Sequence, residues 1–212
     1  MIDTTFRKVT VFVTRGAAPC REILTFIHPF GGRQLPAGSV EKGEAPIESA
    51  RREVWEETGV RDIEQIALLD VATVQIDGIG FLRAHLGVHS DADENAPVLE
   101  ILPRGYKVSI NEQQGGWVHV SHRTYDFNAT PEAVLHEVSG WVPEAHVARV
   151  LERYHYHIIA AADGRQSWTR AADGHVFQVK WVPLTPPPRL VFEQQDWLDA
   201  RHMHLSVFWS SL

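Results

Sequence analysis

Residues 38–60 read Gly38-Ser-Val-Glu-Lys-Gly-Glu44-Ala-Pro46-Ile-Glu48-Ser-Ala-Arg-Arg52-Glu53-Val54-Trp-Glu56-Glu57-Thr-Gly59-Val60, and the rest of the chain is understood outward from them. Pro46 suits the first turn of a helix, Glu44 and Glu48 lie near its positive end, and Gly59 suits its termination. The spacing therefore predicts a helix over Pro46–Thr58. Glu53, Glu56 and Glu57 then share one face, within an arc of about 100°. Three carboxylates held that close repel one another, and a divalent cation is the simplest partner that repays the arrangement. Mg²⁺ fits a ligand set without Cys or His, because it takes oxygen donors and shares itself with substrate phosphates. An ExxEE pattern alone is usually a solvated helix face. Here Ile47, Ala50 and Val54 form a neighbouring apolar stripe, and Leu35-Pro36-Ala37-Gly38 leads in through a tight turn, so the helix is expected to dock on a core.

The whole stretch fits the pattern Gx5Ex7REUxEExGU, with U a large aliphatic residue. Gly38, Glu44, Arg52, Glu53, Val54, Glu56, Glu57, Gly59 and Val60 meet its fixed positions. In this the chain resembles the Nudix hydrolase family. The resemblance implies an α/β fold of the α+β type, with a mixed β-sheet sandwiched between helices. It also implies that Glu53, Glu56 and Glu57, with the Gly38 carbonyl, hold Mg²⁺ or Mn²⁺ while water attacks a diphosphate, and that Glu44 and Arg52 pair to shape the loop. The motif covers about a ninth of the chain; elsewhere only general features agree.

The bounds set by the whole chain are consistent with that. Its 212 residues suit a single Nudix domain over 1–212, with an inserted segment at about 90–153 and a closing helix at 190–202. Hydrophobic residues make up 44% and charged residues 22%, so a packed core is expected rather than disorder. The net charge of −7 opposes nonspecific binding to long nucleic acid but not to a nucleotide, whose charge a metal neutralises locally. A lone Cys20 excludes an intrachain disulfide framework and fits a reducing compartment. No apolar run approaches a membrane span, and Met1-Ile-Asp-Thr-Thr lacks the plan of a signal peptide, so a soluble cytoplasmic protein with no membrane partner is expected.

Outside the motif, strands are predicted at Phe6–Thr14, Glu22–Ile27, Ile63–Val74 and Ile79–Val88. Ser90-Asp-Ala-Asp-Glu-Asn-Ala-Pro97 reads as a solvated polar loop. Tyr106–Ile110 and Trp117–Val120 form a hairpin candidate. Thr130-Pro131 predicts a short helix through Val138, and Pro143 a second through about Glu152. Tyr154-His-Tyr-His157 places His155 and His157 on one side of a strand, read as a hydrogen-bonded sheet surface rather than a metal site, and His202 with His204 is read alike. Ala172-Asp173-Gly174 is the strongest short hairpin signal, and Val176–Leu184 resembles a final sheet strand. A helix over Leu190–Ala200 would pack Phe192, Trp197 and Leu198 inward.

These residues point to metal-dependent cleavage of the diphosphate in a nucleoside diphosphate linked to another moiety: a nucleoside triphosphate, nucleotide sugar or dinucleotide. Two alternatives stay open. One is a ligand-sensing Nudix domain that binds a nucleotide without turnover. The other is isoprenoid diphosphate isomerisation, for which Cys20 is the only thiol. A further general base is sought in Glu53 or Glu57, or among Asp163, Asp173, Glu132, Glu137 and Glu144. Subgroup markers for ADP-ribose and diadenosine polyphosphate hydrolases are absent, since their places hold Ile76 and Gly78. Arg33 is a candidate substrate-phosphate contact. The expected partner is a small nucleotide-like substrate, and homodimers are frequent among similar proteins.

Overall fold

In the computed structural model, residues 5–126, 133–172 and 174–207 are described, apart from the side chains of Phe192 and Val207. The chain begins with β1 (Thr5–Arg15), β2 (Glu22–His28), β3 (Gly32–Gln34), β4 (Ala37–Ser39), α1 (Pro46–Thr58) and β5 (Ile63–Val74). It continues through β6 (Ile79–Leu82), β7 (Leu86–His89), β8 (Val98–Leu102), β9 (Lys107–Gln114), β10 (Trp117–Asp126) and β11 (Ala133–Pro143). A 3-10 turn (Glu144–His146) leads to β12 (Val147–Ala148) and β13 (Val150–Ala160), followed by β14 (Ser167–Ala172), β15 (His175–Pro183) and α2 (Phe192–Val207). Among the described residues the fold is thus α+β, mostly strands with two α-helices. Among the described residues no helix is long and apolar enough to cross a membrane.

The chain divides into two compact units, one of Lys8–Val71 with Tyr154–Leu212 and one of Met1–Arg7 with Ala72–Arg153. The first holds the motif. Its sheet runs in the order β14-β15-β2-β1-β13-β5, with β3 added to β2 and β4 to β1. Alternation along β1 and β2 divides their side chains between the two faces of that sheet. Val9, Val11, Val13, Leu24 and Phe26 join Ala50 and Val54 of α1 in one core, while Phe12 and Ile23 join Leu198 and Leu205 of α2 in another. The central strands are therefore covered on both sides, each side by one helix. Trp197 packs against the second of these cores as expected; the side chain of Phe192 lies outside the described residues.

The second unit carries a seven-stranded sheet in the order β12-β6-β9-β10-β11-β7-β8. Leu82, Val88, Leu102, Val108, Val118, Val120, Val138 and Val142 cover one face of it as a core. The two helices expected near 130–138 and 143–152 are not formed where the chain is described. Residues 133–143 are β11 instead, paired with β10 through ten registered residues, and Pro143 is extended (φ −62°, ψ 127°). Val134, Val138, Trp141 and Val142 are β-branched or aromatic, and the long antiparallel ladder rewards them more than the local helix-start signals do. Thr130 and Pro131, the expected start of the first helix, lie outside the described residues.

Candidate functional site

The site is assembled by α1 and the two short elements before it. Pro46 opens α1 after an extended Ala45, and Gly59 closes it in the left-handed conformation at φ 73°, its N–H bonded to the Trp55 carbonyl. Glycine reaches that backbone angle without the Cβ clash other residues meet. The end of α1 is held from β14: Trp168 Nε1 donates to the Thr58 carbonyl at 2.7 Å and Arg170 Nε to the Glu56 carbonyl at 2.9 Å. The guanidinium carbons of Arg61 and Arg170 lie 3.4 and 4.5 Å from the centroid of the Trp55 ring. At the other end of the motif, β4 pairs with β1, Val9 standing opposite Gly38.

Gly38 and Glu53 meet closely. A Cβ on Gly38 would fall 1.9 Å from Glu53 Oε1, so only glycine leaves room for that carboxylate against the β4 backbone. Glu53 is 8% exposed and Glu57 7%, whereas Glu56 is exposed. Glu57 Oε2 accepts the Ala37 N–H at 2.9 Å.

Arg52 organises the rest. Its Nε and Nη2 donate to Glu44 Oε1 and Oε2 at 2.9 and 3.0 Å, and Nη2 also reaches the Ser39 carbonyl at 3.0 Å. Its Nη1 donates to both Glu53 Oε1 and Glu56 Oε2 at 2.9 Å. Glu44 accepts in addition the Glu41 N–H at 2.9 Å. The hydrogen bonds and charge of Arg52, chiefly, hold the Glu44 carboxyl below its usual range, and Glu44 above all raises the Arg52 guanidinium in return.

Glu53 and Glu56 are thus brought to one donor, while Glu57 turns to the backbone of Ala37. Among the described residues no three His, Cys, Asp or Glu side chains converge closely enough to hold a metal ion. The donor chemistry nevertheless fits a hard divalent cation: the helix face offers oxygen ligands alone, and Gly38 leaves its backbone open against Glu53. Positive charge already stands at that place in the form of Arg52 Nη1.

The remaining candidates separate by unit. Asp163 belongs to the unit of α1. Burial pushes its carboxyl up, but hydrogen bonds and charge from Arg165, with the charge of Arg15, bring it below the usual range. Glu137 and Glu144 belong to the other unit and pair with Arg123 and Arg149. Glu132 and Asp173 lie outside the described residues. Arg33 Nη1 donates to Thr25 Oγ1 at 2.8 Å.

His155 and His157 do not lie on a sheet surface. Both are buried, at 1% and 2% exposure, because β13 is a central strand. His157 Nε2 lies 2.8 Å from Thr14 Oγ1, and burial first, then the charge of Arg21, pushes its pKa down to about 4. His155 Nδ1 lies 2.8 Å from Asp70 Oδ1, and Arg201 holds both oxygens of that carboxylate, at 2.8 and 2.9 Å. No local pattern announces this Asp70–His155–Arg201 cluster, since its members are far apart in sequence.

Comparison with known proteins supplies the remaining observations. Residues 5–99 match the family described as NUDIX domain. An RNA pyrophosphohydrolase of Bartonella henselae is 54% identical over 33 residues, covering 16% of this chain and 19% of that protein. An RNA pyrophosphohydrolase of Mesorhizobium japonicum is 47% identical over 34 residues, covering 16% and 20%. The chain spans about a fifth of the length of these curated relatives. Among solved structures, the NUDIX domain of Shewanella oneidensis NrtR complexed with ADP ribose aligns at TM-score 0.47 and 15% identity, covering 95% of this chain and 88% of that one. The Ap4A hydrolase of C. elegans aligns at TM-score 0.40 and 11% identity, covering 94% and 96%.

Proposed function

We propose, from the match of residues 5–99 to the NUDIX domain family, that this protein is a metal-dependent pyrophosphohydrolase acting on a nucleoside diphosphate linked to another moiety. One observation carries the reading: a complete set of motif residues in which Gly38, Glu53, Glu56 and Arg52 meet at one place. Glu53, Glu56, Glu57 and the Gly38 carbonyl would hold Mg²⁺, with Mn²⁺ as an alternative. A cation so held neutralises non-bridging phosphate oxygens and lowers the pKa of the attacking water.

The chain's own residues supply the rest. Arg52 touches Glu53 and Glu56 through Nη1 alone, while Nε and Nη2 hold Glu44 and the Ser39 carbonyl. Freeing the two carboxylates therefore costs one donor atom and leaves the loop-shaping contacts in place. Glu53 or Glu57 takes a proton from water as general base, with Asp163 as the remaining described candidate in the same unit. Arg33 is proposed as a phosphate contact.

The relatives' name, RNA pyrophosphohydrolase, supports pyrophosphate chemistry. The net charge of −7 favours a small nucleotide-like substrate over a long nucleic acid. We read the chain as one Nudix domain with an insertion at about 90–153, closed by the helix that begins near 190. A homodimer and a cytoplasmic setting complete the proposal, and the exposed thiol of Cys20 suits a reducing compartment.

A second reading is favoured by the contacts of Arg52 with Glu53 and Glu56. If that guanidinium keeps the carboxylates, the domain binds a nucleotide without cleaving it. The separating experiment measures phosphate and pyrophosphate release from nucleoside triphosphates, nucleotide sugars, dinucleoside polyphosphates and ADP-ribose, with Mg²⁺, Mn²⁺ or chelator. Hydrolysis predicts one substrate class turned over only with metal, at kcat/KM above about 10⁴ M⁻¹s⁻¹. A nucleotide that raises Tm while nothing is released supports sensing instead.

A further inference from the structure

The last turn of α1, Trp55 to Thr58, carries Glu56 and Glu57 and no basic residue. The C-terminal end of a helix is the negative end of its dipole, so both carboxylates stand where that dipole opposes them. The hydrogen-bond ladder stops in the same turn. Its final bond runs from the Gly59 N–H to the Trp55 carbonyl, and the carbonyls of Glu56, Glu57 and Thr58 lie beyond it. A turn left in that state frays, and two of the three motif carboxylates would fray with it.

β14 supplies what the turn lacks. Trp168 and Arg170 are two residues apart and so share one face of that strand. Trp168 Nε1 donates to the Thr58 carbonyl at 2.7 Å and Arg170 Nε to the Glu56 carbonyl at 2.9 Å, filling two of the three open acceptors. The missing positive charge also comes from outside the turn. The guanidinium carbons of Arg61 and Arg170 lie 3.4 and 4.5 Å from the centroid of the Trp55 ring, close enough for cation–π attraction.

These contacts act on the backbone and leave the carboxylates to their own partners. Arg52 Nη1 donates to the Glu56 side chain, and a cation taken up by Glu56 would displace that contact. The Glu56 carbonyl keeps its bond to Arg170 either way, so the backbone under the ligand is fixed whichever partner the carboxylate has. We propose, resting on the metal-dependent reading above, that Trp168 and Arg170 are positioning residues for the metal site. They hold the last turn of α1 so that Glu56 and Glu57 reach the cation from an already ordered backbone. Contacts one step removed from a metal commonly change its affinity by about ten- to a hundredfold.

Charge alone predicts the opposite sign. Arg170 is a cation at a residue that would bind a cation, so removing its charge without loosening the turn would strengthen metal binding. Weaker binding on its removal therefore reports the hold on the turn.

The test titrates Mn²⁺ alone into the full chain and reads the bound fraction by electron paramagnetic resonance. Native-state hydrogen exchange of the metal-free protein is the second readout. Trp168→Phe keeps a ring and removes the donor. Arg170→Met keeps the stem and removes donor and charge, whereas Arg170→Lys retains the charge and a donor. Trp168→Phe and Arg170→Met are each expected to weaken Mn²⁺ binding by at least about tenfold and to speed exchange of the Gly59 amide by a similar factor, with the amides of β13 unchanged. Arg170→Lys should recover part of the affinity. Arg201→Ala, which removes both bonds to Asp70 from α2 on the other side of the sheet, controls for stability. It should lower Tm and bind Mn²⁺ as wild type does. Trp168→Phe decides the matter where Arg170→Met fails to fold. The proposal is overturned, with the metal-dependent reading left standing, by folded variants that bind Mn²⁺ as tightly as wild type or more so, or by Arg201→Ala weakening binding as much as they do. A wild type that binds no Mn²⁺ overturns both.

Discussion

Arg52 grips Glu44 at both carboxylate oxygens, Nε to Oε1 at 2.9 Å and Nη2 to Oε2 at 3.0 Å, and so closes the loop between β4 and α1. Bidentate pairs of this kind combine charge with fixed geometry. Arg52→Ala removes the pair and also leaves Glu53 and Glu56 without their shared donor. It should cost about 2–3 kcal/mol in denaturant unfolding, and activity should fall with stability. Glu44→Gln should cost less, because one amide oxygen still accepts.

Gly38→Ala tests the close approach to Glu53. The added Cβ falls 1.9 Å from Glu53 Oε1, so β4 or the carboxylate must shift. A stability loss of about 1–3 kcal/mol is expected. Metal affinity, measured by calorimetry on the folded variant, should drop with it; an unchanged affinity would separate Gly38 from the metal site.

His157 makes stability depend on pH. Its folded pKa, near 4, is depressed below the unfolded value of about 6.5. Between these pH values the unfolded chain binds a proton that the folded chain does not, so stability falls as pH falls from about 6.5 towards 4. The full effect is about 3 kcal/mol. His157→Gln should flatten the unfolding free energy across that window. An equally steep profile in the variant would assign the dependence to other groups.

Carboxylates held below their usual range act at lower pH. Glu44, Asp70 and Asp163 all have depressed folded values. Their stabilisation is fully present above an unfolded pKa of about 4 and is lost as pH falls through the folded values. Glu44→Gln should therefore show a smaller loss below about pH 4 than wild type in acid-unfolding curves.

The motif helix was legible because its signals are local. Pro46 and Gly59 bound it, and the stripe of Ala50 and Val54 is the stripe that packs. The 167–183 hairpin was legible for the same reason, although its turn residue Asp173 lies outside the described residues. Residues 133–138 and Pro143 belong to a strand although Thr130-Pro131 and Pro143 are local helix signals, because the ladder to β10 is a long-range reward no window contains. The burial of His155 and His157 escaped a period-two reading, which separates the faces of a strand but cannot tell a central strand from an edge strand. Within the site, the spacing implied the Arg52–Glu44 pair; the second use of Arg52, against Glu53 and Glu56, depends on side-chain geometry that spacing does not specify.

The central claim is that the motif carboxylates serve metal-dependent hydrolysis. The most direct test compares kcat/KM of wild type, Glu56→Gln and Glu57→Gln on the substrate found in the panel, with Mg²⁺ and with chelator, after melting curves show all three folded. The account predicts that chelator abolishes turnover in wild type and that each variant loses at least about a hundredfold. Near-wild-type turnover in both variants, or turnover that persists in chelator, would contradict it.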